Sequence, residues 1–472
     1  MWQRLALAAS RVTALTTPAA VQDVTSVIER ASNAMGLAGL DAITYSGQAA
    51  MGNFGQSRTI SFGLTGTSIR NYTRTIDFTR PASHVTGTAV PRPIDGGPAP
   101  PPGPFDERIT PSDRSWAEQL QMWVTPWGFL KGAAATNATL QSRKVGDVRY
   151  DVVTWSPAMK APSGQPYRVV GYINPASMVD RVETWVEHPV LGDLHVETTY
   201  RDYRAAGSLR VPALISQKQI GMETFVAAIG EARANPPDLA ELMGPDTPRR
   251  EASPAPPAAS ERLADGVYRI TGGYVALAVE FRDHVVVLEG GQSEARGLVI
   301  MAETRRVIPH KPIKFVVNTH PHFDHAAGLP PFAAEGATIL TDDNSRYFVE
   351  QALRSPRTLL GDALARSRRK PRVDGVIDTM VLRDETRIVE LHHVQKLEHS
   401  DAMLLAYLPK ERILFTADFN EPGPGQPVSP SIATLVQNIE RLQLDFDRHV
   451  MVHPPDPDRP MSKADLLALI KR

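Results

Sequence analysis

Phe315-Val316-Val317-Asn318-Thr319-His320-Pro321-His322-Phe323-Asp324-His325 is the stretch on which the reading of this chain turns. Phe315 to Val317 reads as the end of an apolar strand, and four side chains able to bind a metal ion follow it within six residues. In extended backbone, residues two apart point the same way, so His320 and His322 can grip one ion from one side. Asp324 and His325 lie just beyond and can turn towards a second ion as the chain enters a helical start at Ala326-Ala327. Gly328 and the pair Pro330-Pro331 are expected to curtail that helix. A lone histidine is usually structural, but three with an aspartate at this spacing, from 13 histidines in 472 residues, make a pattern too dense for chance.

Outward from this stretch, the region from Leu263 to the end alternates strands with helices. Val275 to Glu280, Val285 to Leu288, Thr338 to Leu340, Leu404 to Leu408, Ile413 to Phe415 and Val450 to Val452 read as short strands. Several are apolar throughout and so are expected to be buried on both faces. Ser429-Pro430 supplies an N-cap and a first-turn proline for a helix whose apolar face is Ile432, Leu435, Val436, Ile439 and Leu442. Met461 to Ile470 repeats the pattern, with Ser462 as its cap. The fold class is α/β, with helices covering sheet faces.

The pattern His-x-His-x-Asp-His resembles the signature of the metallo-β-lactamase superfamily, and the resemblance covers residues 261–472. It implies an αββα sandwich and a dinuclear metal site completed by a later His, an Asp after a further strand, and a last His near the C-terminus. His399, ahead of the strand at Leu404, matches the third ligand of the first ion, with His392 and His393 as competitors. Asp418 follows the strand ending at Phe415 and matches the bridging carboxylate. His453 follows the strand ending at Val452 and matches the last ligand, whereas His449 precedes that strand and is expected to emerge at its opposite end. The implied set is therefore His320, His322 and His399 on one ion, Asp324, His325 and His453 on the other, and Asp418 between them. Imidazoles mixed with carboxylates suit zinc, two ions per chain. His320, Asp418 and His453 all follow the carboxyl ends of apolar strands, the edge where open α/β sheets place their sites.

That site points to a zinc-dependent hydrolase in which a metal-bridging hydroxide attacks an acyl carbon, the centre then stabilising the oxyanion formed. The resemblance implies that Asp324 is also catalytic and helps move a proton to the leaving group. The expected substrate is a small molecule with an ester, lactone or related acyl bond. β-Lactam ring hydrolysis is the alternative within the same chemistry. The resemblance weighs against it, because antibiotic-hydrolysing members carry Cys at the Asp418 position or lack a bridging carboxylate there, while lactonases and thioesterases carry Asp. Two other classes stay open: an iron-dependent sulfur oxygenase with one redox metal, and a ligand-binding module with a structural metal.

Composition narrows the partners. The chain has no cysteine, which excludes disulfides, thiolate metal sites and a Cys nucleophile. Its 51 Lys and Arg against 52 Asp and Glu give a net charge of −1, with no broad field to attract nucleic acid. No apolar run reaches transmembrane length, so no stable membrane insertion is expected. Residues 1–22 offer Arg4, the apolar stretch Leu5 to Ala9 and the small residues Pro18-Ala19-Ala20, which reads like a secretory signal peptide interrupted by Arg11. This predicts a periplasmic or secreted protein. The other reading is the frayed N-terminus of a cytoplasmic one.

Residues 23–235 carry a different texture. After a helical pattern at Val27, Ile28, Ala31, Ala34 and Met35, the sequence alternates as half-buried antiparallel strands do, at Tyr72 to Phe78, Tyr167 to Val170, Val182 to Val186 and Leu194 to Thr198. A curved, mainly antiparallel β domain is the expectation, and in outline it resembles the half-barrel of bacterial lipoprotein-carrier proteins. Seven prolines between Pro91 and Pro104 predict a stiff exposed loop. Residues 236–260, mixing Pro, Ala, Glu and Ser, predict the linker to the 261–472 domain. Trp116, Trp123, Trp127 and Phe129 can line an apolar groove beside the active site or pack the first domain's core, and core packing is the expectation.

Overall fold

The computed structural model describes residues 23–470 apart from 53, 63–65, 94–96, 98, 112–114, 246–256, 423–426, 456–457 and 459–460. The signal-peptide reading of 1–22 lies outside the described residues. Among these, no helix is long and apolar enough to cross a membrane.

The first half opens with α1 (Val24–Met35), whose Val27, Ile28, Ala31 and Met35 form one buried stripe. Four strands follow, β1 (Ala42–Gly52), β2 (Gly66–Asp77), β3 (Ala82–Val90) and β4 (Gly103–Ile109), and then α2 (Trp116–Trp123) and α3 (Pro126–Ala134). Seven more strands complete it: β5 (Thr139–Val145), β6 (Val148–Trp155), β7 (Val169–Ile173), β8 (Val179–His188), β9 (Gly192–Ala206), β10 (Leu209–Gln219) and β11 (Met222–Ala234). All eleven join one antiparallel sheet in the order β4-β3-β2-β1-β11-β10-β9-β8-β7-β6-β5. The inward side chains of the sheet and the apolar faces of α1, α2 and α3 share one core. Trp116 and Trp127 are fully buried there, with Trp116 edge-on to Trp155 at 6.0 Å, so the tryptophan cluster packs the core as expected.

The proline-rich stretch is shorter as a loop than the sequence predicts. Gly103–Ile109 pairs with β3, and Pro104 stands opposite Thr88. Because β4 is an edge strand, a proline there loses no ladder hydrogen bond that the sheet needs. The stretch expected as a linker also carries structure at both ends. It begins with the short helix α4 (Leu239–Met243), whose Met243 carbonyl accepts from Arg108, and ends in β12 (Ala259–Ala264).

The second half contains two sheets. The larger joins β12 to β13 (Val267–Thr271), β14 (Ala276–Glu280), β15 (Val285–Leu288), β16 (Ile313–Val317), β17 (Thr338–Asp342) and β18 (Arg372–Val376), antiparallel up to β15 and parallel from there. The smaller joins β19 (Thr379–Arg383), β20 (Ile388–His393), β21 (Leu404–Leu408), β22 (Ile413–Thr416) and β23 (Arg448–Met451), with only the last pair parallel. The unbroken apolar runs have a physical cause visible in the packing. Leu277, Val279, Val286, Leu288, Val317 and Leu340 share a core with the smaller sheet. Their neighbours Ala276, Ala278, Val285, Val287, Val316 and Ile339 face the other way, into a core with α5 (Glu294–Val307).

Beyond β16 the chain forms the single turn α6 (Phe323–Ala326), then α7 (Leu329–Glu335) and, after β17, α8 (Asp343–Arg354) and α9 (Ala363–Arg366). Gly328 is the N-cap of α7, with proline in its first turn, so Gly328 and Pro330 open a second helix as well as ending the first. The helices α10 (Pro430–Arg441) and α11 (Lys463–Leu469) cover the smaller sheet with Ile432, Leu435, Ile439 and Leu466. Both begin at the serines the sequence marked: Ser429 accepts from Ser431 N–H, and Ser462 forms a capping box with Asp465.

The two halves are tied by polar contacts, buried at Arg357 and more open at Asp193. Arg357 donates to the carbonyls of Pro189 and Val190 and pairs with Asp362 at 2.6 Å, both side chains only 3% exposed. The carboxylate of Asp193 accepts from the backbone N–H groups of Thr358 and Leu359.

Candidate metal centre

The ends of β16, β22 and β23 and the turn before β21 converge on one point. His320 and His322 come from the loop after β16, and His399 from the turn before β21. With Asp418, just past β22, they bring one ligand atom each to within 4.8 Å of one another. Asp324, His325 and His453 form a second group by the same measure. All seven residues read from the sequence are thus brought together.

Asp418 joins the two groups. Its Oδ2 lies 3.4 Å from Nε2 of His320 and 2.8 Å from Nε2 of His399, while its Oδ1 lies 3.1 Å from Nε2 of His325 and 2.8 Å from Nε2 of His453. One carboxylate therefore presents one oxygen to each histidine cluster. The competitors are engaged elsewhere. Nδ1 of His393 is 2.6 Å from Asp342, His392 lies between Thr379 and Glu390, and His449 is buried against Thr416 at 2.8 Å.

The donor set fits a cation. Nε2 of His320, Nδ1 of His322, Nε2 of His325 and Oδ1 of Asp418 are all buried without a hydrogen-bond partner. Leaving buried polar atoms unsatisfied is costly, and here they converge, which is what a metal ion would satisfy. Burial holds the imidazole of His320 down to about 4 and that of His322 to about 2, so both keep a free lone pair at neutral pH. Burial acts the same way on His325, but the charges of Glu289 and Asp418 outweigh it and lift that ring to about 10. Asp418 is held far below the usual carboxylate range, the positive field of His325 and His320 overriding its burial.

Partners that no local motif announces orient these ligands. Glu289, fully buried at the end of β15, lies 3.1 Å from Nδ1 of His325 and accepts from Thr319 at 2.8 Å, turning Nε2 of His325 inward. Asn318 donates to the carbonyl of His320 at 2.7 Å and so braces the ligand loop. The hydroxyl of Tyr274 donates to Asp324 at 2.7 Å, and its ring lies 4.4 Å from that of His453. The only sequence signal for Glu289 is a charged residue directly after a wholly apolar strand, and Tyr274 gives none.

The first half of the chain also reaches the site. After β1, the segment from Phe54 to Thr59 lies over the ligand loop. The Gln56 amide donates to Oδ1 of Asp324 at 2.6 Å, and the Ser57 carbonyl is 3.2 Å from Nε2 of His322. A carbonyl only accepts, so His322 carries its proton on Nε2 and directs the Nδ1 lone pair inward. Gly55 is required here. It has φ +83°, a Cβ on it would sit 2.1 Å from the Phe323 ring, and the backbone N–H of Phe323 donates to the Gly55 carbonyl.

Residues 271–454 match the family model described as Metallo-beta-lactamase superfamily. The chain is 25% identical over 199 residues to the 2,4-dinitroanisole O-demethylase subunit alpha of Nocardioides sp. (strain JS1661). That alignment takes in 40% of this chain and 54% of the relative, so the chain spans about half the length of the curated protein it matches. Among solved structures, a metallo-beta-lactamase from Pontibacter korlensis aligns over 46% of this chain and 99% of its own, at 16% identity and a TM-score of 0.34. The metallo-beta-lactamase FIM-1 from Pseudomonas aeruginosa, in its mono-zinc form, aligns over 46% and 95%, also at 16% identity and 0.34.

Proposed function

Because residues 271–454 carry a metallo-beta-lactamase superfamily domain, we propose that this chain is a zinc-dependent hydrolase that cleaves an ester, lactone or related acyl bond. The observation that carries this reading is Asp418, one carboxylate with an oxygen 2.8 Å from a histidine of each cluster. The two sheets of the second half, with helices outside each, support the four-layer αββα arrangement as the frame of the site. His320, His322 and His399 would hold one ion, Asp324, His325 and His453 the other, and Asp418 would bridge them. Two bound zinc ions would supply a water ionised at neutral pH and positive charge beside the developing oxyanion.

The chain's own groups do the rest. Glu289 fixes the ring of His325, and Ser57 fixes that of His322. Asp324 accepts from Gln56 and Tyr274, and its carboxyl is held below its ordinary range: burial opposes this, but His325 and those two hydrogen bonds outweigh it. It is therefore ionised at neutral pH, and an ionised carboxylate at this place would be able to relay a proton from the attacking water to the leaving group. A second reading, cleavage of an activated aryl ether, is favoured by the O-demethylase relative.

The test is a panel of lactones, aryl esters, thioesters, β-lactams and a nitroaryl methyl ether, assayed with zinc-loaded protein alongside metal analysis. About two ions per chain, loss of metal and turnover in His322→Ala, and a higher kcat/KM for a lactone or aryl ester than for any β-lactam are expected. Asp418→Asn should lower acyl turnover by at least ~10²-fold. An active preparation without metal would sink the mechanism. Equal or faster β-lactam turnover would move the antibiotic-hydrolase reading ahead, and turnover of the ether alone would move the demethylase reading ahead.

A further inference from the structure

A cavity of about 790 Å³ lies between the sheet of the first half and the metal centre. Its inner end is His399, with Gln56 and Ser57 beside it. Met51 of β1, Ala89 of β3, Phe105 of β4, Pro91 and Phe62 give its outer walls an apolar surface, which Arg58, Arg92 and Glu398 interrupt. The volume is that of a site for a drug-sized ligand, far more than a short acyl group fills. Phe62, 66% exposed, adds a phenyl ring to these walls.

The side on which the cavity opens tells which part of a substrate it takes. In the hydrolase reading, on which this inference rests, water adds across the acyl C–O bond. Its oxygen joins the carbonyl carbon, the C–O bond breaks, one proton goes to the departing alcohol and one is released from the new acid. The alcohol leaves on the side of Asp324, which belongs to the cluster with His325 and His453. An acyl arm laid across the cluster of His320, His322 and His399 enters this cavity at His399. We propose that this cavity seats an extended apolar acyl arm, so that the first half of the chain sets the specificity of the reaction for medium- to long-chain acyl substrates. A buried methylene is worth about fourfold in binding, so several of them along these walls produce a steep preference for length.

The experiment uses the full zinc-loaded chain with 4-nitrophenyl acetate, butyrate and octanoate, and the metal-free full chain with decanoate followed by saturation-transfer NMR. The wild-type ratio of kcat/KM for octanoate over acetate should exceed about tenfold. It should fall at least tenfold in Ala89→Trp, which fills the cavity, and in Phe62→Asp, whose exposed position leaves the fold intact should the first variant misfold. Transfer to the decanoate methylenes should be seen with wild type and lost in both variants. A flat length profile, or a ratio that neither variant changes, overturns the proposal. If no ester is turned over, the hydrolase reading falls and the acyl substrate with it. Decanoate binding lost in the variants would then support the cavity as an apolar-ligand seat, and binding that survives them would overturn that too.

Discussion

Asp418 and Glu289 both adopt left-handed backbone, at φ 61° and 76°, conformations that cost a non-glycine residue of order 1 kcal/mol or more and persist where the surroundings enforce them. One bridges the two clusters and the other aims His325, so the strain coincides with the two carboxylates that organise the centre. Glu289→Gln keeps the size and a carbonyl acceptor for Thr319 but removes the charge facing His325. It should lower metal affinity 10- to 100-fold, read by competition with a chromophoric chelator, with little change in circular dichroism. Unchanged affinity would reduce Glu289 to a packing residue. The contrast between these carboxylates shows what a sequence can reveal at this scale. His320, His322, Asp324 and His325 are legible because one short segment fixes their relative positions. Glu289 and Tyr274 reach the site only through the packing of strands, and no spacing along the chain announces that.

At the scale of elements, strands and helices of the second half are legible because two-sided burial writes itself as apolar runs, and caps such as Ser429 and Ser462 sit next to them. The segment after β1 is not legible. It has no period, and its role arises from backbone contacts at Gly55 and Ser57 that carry no side-chain signature. The prolines near β4 mislead for a related reason, since a proline excluded from an inner strand is admitted at an edge. Gly55→Ala puts a methyl group into the Phe323 ring at a positive φ, so the segment must shift away from Asp324 and His322. A displacement of that kind at a reacting centre costs up to ~10²-fold, and at least a tenfold loss of kcat/KM with unchanged secondary structure is expected. Wild-type activity in this variant would show that the segment does not shape the site.

For the molecule as a whole, each half holds a histidine that cannot easily take a proton, half-buried in the first and fully buried in the second. His188 in the first, its Nδ1 accepting from the N–H groups of Val190 and Leu191, is lowered to about 4 by burial and then by the charge of Arg357. His449 in the second is lowered to about 4 by burial. The unfolded chain protonates both near 6.5, so between that pH and about 4 the unfolded state binds more protons and stability falls as pH falls. Denaturation of wild type and His449→Gln across this window should show a steep slope in the first and a shallower one in the second. Parallel slopes would mean that other groups dominate acid unfolding. The division of the chain into two textures is legible in its sequence, but the tie between the halves is not, because Arg357 and Asp193 act on partners more than 160 residues away.

The carbonyl of Ser57 on the ring of His322 gives that tie a temporal meaning. The tautomer that leaves the Nδ1 lone pair free is held by a group synthesised more than 260 residues earlier. A ribosome delivers the first half before the ligands exist, so a correctly built sheet can be waiting when the histidines emerge. Metal capture would then be the last act of maturation, and a chain whose first half had failed to form would hold an ion loosely and surrender it to a competing chelator.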